Sequence, residues 1–259
     1  MTLMLALMLA VGQIDATLVK VSAPTAIVEI DVGKLKGDLV RLSWAPDGNL
    51  FYLQTSEMDR RFNTRLRHYT MALDGSQPKS TDQEPQWALM YWSKKSSQLA
   101  PGVPSLKIDV AQERKRVNAV SNPSGGSLAR GDLPGSGTGA GTQTGMGLED
   151  AARAAEQGQM ANTVTLRLKG HVIGEFVNTA AIPGLTFSWG PENTGLVAFV
   201  DEDGRVVIMD GEGRTQKLEA SKSASLPAWT ANGTRLAYLE KTGRNKLTLR
   251  IVDVTIPAQ

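Results

Sequence analysis

Few residues of this chain have the types and spacing that chemistry requires. His68 and His171 are the only histidines among 259 residues, and each lies within a predicted strand. With no acidic cluster at ligand spacing around either, they read as ordinary strand positions rather than metal ligands. Asp201-Glu202-Asp203-Gly204 starts like a calcium loop but lacks the later spaced ligands, so it reads as a hairpin turn. No Gly-x-Ser-x-Gly elbow is present, and no α/β region follows that could carry a Ser-Asp-His triad. The glycines between 125 and 147 neither follow a strand nor open a helix with dinucleotide spacing, so no phosphate cradle is formed. These patterns nominate no catalytic residue, no cofactor and no metal.

Three surface patterns remain. Arg130-Gly131-Asp132 lies in a flexible Gly-rich stretch, where such a tripeptide arises readily by chance. Asn232-Gly233-Thr234 matches a glycosylation sequon but coincides with a strand-connecting turn, and reads as turn chemistry. Asp59-Arg60-Arg61, Arg65 and Arg67 form a charged loop and its flank, read as a solvated face rather than a basic docking patch. The 28 Lys+Arg exceed the 26 Asp+Glu by only two, and they are dispersed, so no nucleic-acid partner is indicated. Cysteine is absent, which excludes disulfides and Cys-based metal or redox sites.

The elements that must position everything else are short strands. Val40, Leu42 and Trp44 alternate with Arg41 and Ser43, and Leu185, Phe187 and Trp189 alternate with Thr186 and Ser188. That period of two marks strands with one better-buried face. Each tryptophan is followed by a turn and a second strand: Pro46-Asp47-Gly48 before Leu50–Leu53, and Gly190–Gly195 before Leu196–Val200. Pro46 presets φ for a turn and Gly48 accepts the positive φ that ends it. About forty residues after Trp189, Trp229 is followed by Asn232-Gly233, Leu236–Leu239 and Leu247–Val252. Gln86–Trp92 reads as a degenerate fourth copy, with Trp92 in the place of Trp44. Repeats of this length built from strands indicate propeller blades, anchored by Trp44, Trp92, Trp189 and Trp229 between neighbouring sheets.

Ser43-Trp44-Ala45-Pro46-Asp47-Gly48-Asn49-Leu50 resembles the SPDG-x-L repeat of TolB-like β-propellers, a repeat also found in the propellers of prolyl-oligopeptidase-type peptidases. Trp189-Gly190-Pro191-Glu192 and Trp229–Tyr238 are weaker copies, with Glu192 and Asn232 where the repeat has Asp. The resemblance spans roughly 37–81 and 181–255. It implies a blade and no particular activity.

In chain order, residues 1–16 are an apolar run of signal-peptide length ending in Ala16, with no basic region ahead of it. The alternative for this run is a first strand or a short docked helix; it is too short to span a membrane. Residues 17–120 hold the first part of the propeller. Ala26–Asp31 is a lone strand within it, expected to complete the last blade beside Leu247–Val252, and Leu106–Val110 reads as one strand. Residues 121–162 form a Gly/Ser-rich flexible insertion ending in a short Ala-rich helix, expected to interrupt a blade that Thr163–Leu168 and His171–Phe176 finish. Residues 163–259 hold the remaining blades. The fold expected is all-β and propeller-like, with about four blade units in an incomplete or open ring.

For function, the leading expectation is a non-catalytic, periplasmic or secreted propeller that binds protein or peptide partners in the bacterial cell envelope, as the resemblance implies. Two alternatives stand beside it. A propeller hydrolase or lyase would place carboxylates and a histidine in the channel. A structural assembly component would expose a large apolar face.

Overall fold

The computed structural model describes residues 17–58, 64–116, 160–177, 187–219 and 221–257. The Met1–Ala16 segment, Asp59–Arg61, Arg130-Gly131-Asp132 and the Gly-rich and Ala-rich stretches between 117 and 159 lie outside the described residues.

In chain order the elements are β1 (Lys20–Val21), β2 (Thr25–Asp31), β3 (Asp38–Trp44), β4 (Leu50–Met58), β5 (Thr64–Ala72), β6 (Lys79–Thr81), α1 (Gln86–Lys95), β7 (Leu99–Ala100), β8 (Val103–Lys107), β9 (Asp109–Arg116), β10 (Met160–Leu168), β11 (His171–Val177), β12 (Phe187–Trp189), β13 (Val197–Val200), β14 (Val206–Met209), β15 (Thr215–Lys217), β16 (Ala224–Trp229), β17 (Arg235–Gly243) and β18 (Lys246–Thr255). Besides the two-stranded β7–β8 hairpin, they build four small antiparallel sheets arranged like a four-blade propeller whose ring is not closed.

The first blade is β3-β4-β5-β6, the second sheet β9-β10-β11, and the third blade β12-β13-β14-β15. The fourth is β16-β17-β18, extended by β2 and β1 from the other end of the chain. As the alternation of Ala26–Asp31 led us to expect, β2 pairs with β18, placing Ile30 opposite Leu247 and Val28 opposite Leu249. This pairing gives the edge of β18 a backbone partner and buries Ile30 completely.

Three apolar cores join the four sheets in series. Trp44, Phe51, Leu53 and Met71 of the first blade meet Leu226, Leu239 and Leu249 of the fourth. Trp229, Tyr238 and Val252 of the fourth meet Ala198, Val206 and Ile208 of the third. Phe187, Trp189 and Met209 of the third meet Leu166, Leu168 and Ile173 of the second. A closed ring of four would need one further core, between the first and second sheets. That junction is the seam of the arc.

The turn chemistry places neighbouring blades against one another. Gly233 sits at φ +72° in the β16–β17 turn, and a Cβ there would overlap the Pro191 ring of the β12–β13 turn. Gly48 adopts φ +68° in the β3–β4 turn, with Asp47 Oδ1 accepting from Asn49 N at 3.0 Å. Asn232 Oδ1 likewise accepts from Thr234 N at 3.1 Å and from its hydroxyl at 2.8 Å. Asx turns of this kind explain why Asp and Asn both serve at that point of the repeat.

Two expectations need correction. Gln86–Trp92 is not a strand: it forms α1, so Trp92 does not end a first strand as Trp44, Trp189 and Trp229 do. Ala88, Tyr91 and Lys95, spaced at helical intervals, turn to the protein, while Leu89 and Met90 face out. Leu106–Val110 is not one strand either. It breaks at Ile108, whose N–H donates to the Gln98 carbonyl at 2.8 Å, so β8 pairs with β7 and β9 with β10. The hairpin of β10 and β11 does finish the sheet that β9 begins, with β9 and β10 directly paired.

Candidate functional site at the seam

The outward face of the first blade carries polar residues where the other interblade faces carry apolar ones. Directly opposite residues share a face, and the register sets Ser43 against Tyr52, Arg41 beside Gln54, and Gln54 against His68. Phe51, Leu53 and Met71 point to the opposite side, into the core shared with the fourth blade. The polar set therefore faces the seam, with α1 laid over it.

Arg41 is 5% exposed. Its Nη1 lies 2.6 Å from Glu84 Oε1, and its Nη2 donates to the Ala88 carbonyl at 2.6 Å. The guanidinium stacks at 4.4 Å from the Trp92 ring centroid and 5.6 Å from that of Tyr52. Burial lowers the Arg41 pKa, with the Glu84 carboxylate acting in the opposite direction. The fully buried Tyr52 hydroxyl meets His68 Nδ1 at 2.7 Å and accepts from Gln54 Nε2 at 3.0 Å. Burial, and then the nearby Glu84 charge, raise its pKa to about 12. Trp87 stands edge-on to Tyr52 at 6.3 Å. The cluster is an Arg41–Glu84 ion pair beside a hydrogen-bonded Tyr–His–Gln chain, and Arg41 ties α1 to β3.

The other side of α1 meets the third and fourth blades. The Tyr91 hydroxyl donates to the Trp229 carbonyl at 2.7 Å and lies 3.4 Å from Ser188 Oγ. Ser188 Oγ in turn accepts from the Trp229 N–H at 3.1 Å. Burial drives the Tyr91 pKa upward. Lys95 Nζ donates to the Gly190 carbonyl at 2.6 Å, and burial lowers its pKa to about 8. Outside, Leu89 and Met90 are each 56% exposed.

Of the residues singled out from sequence, only His68 and Trp92 reach this seam. His171 begins β11 in the second sheet, exposed beside the Lys169-Gly170 turn. Asp201 caps the β13–β14 turn: its Oδ1 accepts from Asp203 N at 3.1 Å and Arg205 N at 2.8 Å, and Lys217 Nζ lies 2.8 Å from Oδ2. Arg67 is ion-paired to Glu57 at 2.8 Å on the blade face opposite the seam. Trp44 donates from Nε1 to the Ala228 carbonyl at 2.8 Å, and Trp189 to that of Ser97 at 2.7 Å. Among the described residues, no three His, Cys, Asp or Glu side chains group as metal ligands would, and no helix is long and apolar enough to cross a membrane. Sequence reasoning passed over Arg41, Tyr52, Gln54 and Glu84. One signal was present: Arg41, Tyr52 and Gln54 are polar on a face that a closed propeller would bury.

No protein-family model matches the chain, and no curated protein matches it. Among solved structures, it is similar to the crystal structure of Sqt1 from Chaetomium thermophilum, at 13% identity and a TM-score of 0.22 over 85% of this chain and 44% of that one. It therefore spans less than half the length of that protein. It is also similar to a glucose dehydrogenase, at 11% identity and a TM-score of 0.28 over 86% of this chain and 83% of that one.

Proposed function

We propose that this chain is a non-catalytic β-propeller-like scaffold that binds a protein or peptide partner in the bacterial cell envelope. The observation that carries the reading is α1 with its outward pair: Leu89 and Met90, each 56% exposed, stand side by side on a helix held to the blades from beneath. Large apolar side chains exposed on a surface helix suit a protein partner better than a small polar substrate. Two polar groups support the same reading, because Arg41 and Lys95 are engaged in holding that helix, through the Ala88 and Gly190 carbonyls. The apolar Met1–Val11 stretch and the resemblance to TolB-like repeats are what support export.

The test is a pull-down from envelope extract with wild-type protein, the Leu89→Glu/Met90→Glu variant, and a control, Lys20→Glu, placed on β1. A partner retained by wild type and the control, and lost from the double variant, is the expected result. Equal capture by all three would overturn the role of α1. Fractionation of the native host, with N-terminal sequencing of the recovered protein, tests the location. An intact Met1 on cytoplasmic protein would remove the envelope assignment.

A further inference from the structure

We infer that α1 is a conformational switch: residues 86–92 can leave the helix and enter the second sheet as its missing inner strand. Three observations meet here. The first is topological. The first, third and fourth blades each begin with a strand ending in tryptophan (Trp44, Trp189, Trp229), whereas the second sheet has three strands and the segment ahead of it is α1. Aligned on the tryptophans, Trp92 follows Tyr91 as Trp44 follows Ser43 and Trp189 follows Ser188. Met90 then aligns with Leu42 and Phe187, which are buried in interblade cores, although in the helix Met90 is 56% exposed.

The second observation is a vacant acceptor. Ser188 Oγ accepts from the backbone N–H of Trp229, so the serine before one blade's tryptophan receives the N–H of the next blade's tryptophan. Ser43 is its counterpart in the first blade, and the next blade's tryptophan is Trp92. Ser43 is fully buried, and its Oγ has no hydrogen-bond partner among the described residues. A buried hydroxyl without a partner is costly, and a strand at 86–92 supplies a donor of the kind that Ser188 receives from Trp229.

The third observation is that the helix is weakly specified by its own sequence and is held by tertiary bonds to Arg41, Trp229 and Gly190. Its N-cap is Pro85, which offers no side-chain hydrogen bond, and only Ala88 and Lys95 are buried. Trp87, Leu89 and Tyr91 alternate with Ala88, Met90 and Trp92, so the segment also satisfies strand patterning. Two packings of one segment that differ by a small free energy make a bistable element.

The chain has no cysteine, so spin labels can be placed at Gln86→Cys and Lys94→Cys, both exposed positions. The eight steps between them span about 12 Å as a helix, whereas with 86–92 extended the first six alone span about 20 Å. Pulsed electron spin resonance on the parent is expected to show the short distance. Adding Leu89→Thr and Met90→Val, at side chains that face outward in the helix, favours the strand. This variant is expected to show a second, narrow population near the long distance, and a further Ser43→Ala is expected to reduce that population several-fold. A single short distance in a strand-favouring variant that melts cooperatively overturns the inference. So does a long population indifferent to Ser43→Ala, since that would report fraying and not docking. If the double variant does not fold, Met90→Val alone is measured under the same criteria.

Discussion

Lys95 gives the sharpest test of how α1 is seated. Its ammonium is buried in the last turn of the helix with the Gly190 carbonyl at 2.6 Å, and its pKa falls from 10.5 to about 8. Between those two values the unfolded chain binds more protons than the folded one, so stability must rise with pH through that window. The contribution is present above the unfolded value and is lost as pH falls through the folded one. At pH 7 the burial of the charge costs roughly 3 kcal/mol relative to an unshifted lysine, and about 2 kcal/mol of that is recovered by pH 9.5. Stopping at 9.5 keeps Tyr52 and Tyr238, both raised to about 12, protonated. The assay is urea unfolding of wild type and Lys95→Met at pH 7.0, 8.0, 9.0 and 9.5. Their difference cancels every other titrating group. Removing the ammonium also leaves the buried Gly190 carbonyl without its donor, at about 1–3 kcal/mol, so the absolute offset at pH 7 is not diagnostic. The slope is. Wild type should gain about 2 kcal/mol on the variant from pH 7 to 9.5, equivalent to a midpoint shift of roughly 4–8 °C. Parallel pH profiles would mean that Lys95 is solvated and that α1 does not seat as described.

Other perturbations probe the sheets themselves. Trp44→Ala or Trp189→Ala should each cost about 3–5 kcal/mol in chemical denaturation, since both rings are 1% exposed between sheets; unchanged melts would remove the interblade packing argument. Arg41→Met leaves Glu84 without its cation and the Ala88 carbonyl without its donor, an expected loss of about 3–5 kcal/mol. Restoring that loss with Glu84→Gln in the same protein, read by thermal melting, would confirm the pair, and no restoration would assign the cost to packing on Trp92. Deleting residues 17–33 removes Val28 and Ile30 from the core and bares the edge of β18, so both a lower melting temperature and concentration-dependent association in sedimentation are expected. A monomeric deletion with an unchanged melt would show that β2 is dispensable. Gly233→Ala should destabilise through both its φ of +72° and the overlap with Pro191, and a neutral melt would show that the two turns can separate.

The alternation around Trp44 and Trp189, the turns at Gly48 and Gly233, and the polar–apolar pattern of β2 made most of the architecture legible in the sequence. A strand buried on one face must repeat every two residues, and a tight turn with positive φ selects Gly or Asn. The lone strand at Ala26–Asp31 could be assigned to the last blade because its alternation of polar and apolar residues suits an edge strand, and such a partner covers an open sheet edge. The segment from Gln86 to Lys95 could not be settled in this way. Trp87, Ala88, Leu89, Met90, Tyr91 and Trp92 are all apolar or aromatic, so they satisfy a period of two and a helical period alike. Only the tertiary structure decides between them, through contacts distant in sequence: Tyr91 to Trp229, Lys95 to Gly190 and Ala88 to Arg41. The polar seam was hidden for the same reason. Arg41, Tyr52, His68 and Glu84 lie too far apart in sequence to share a strand or helix period, and a cluster exists only because β3, β4, β5 and the approach to α1 converge on one face.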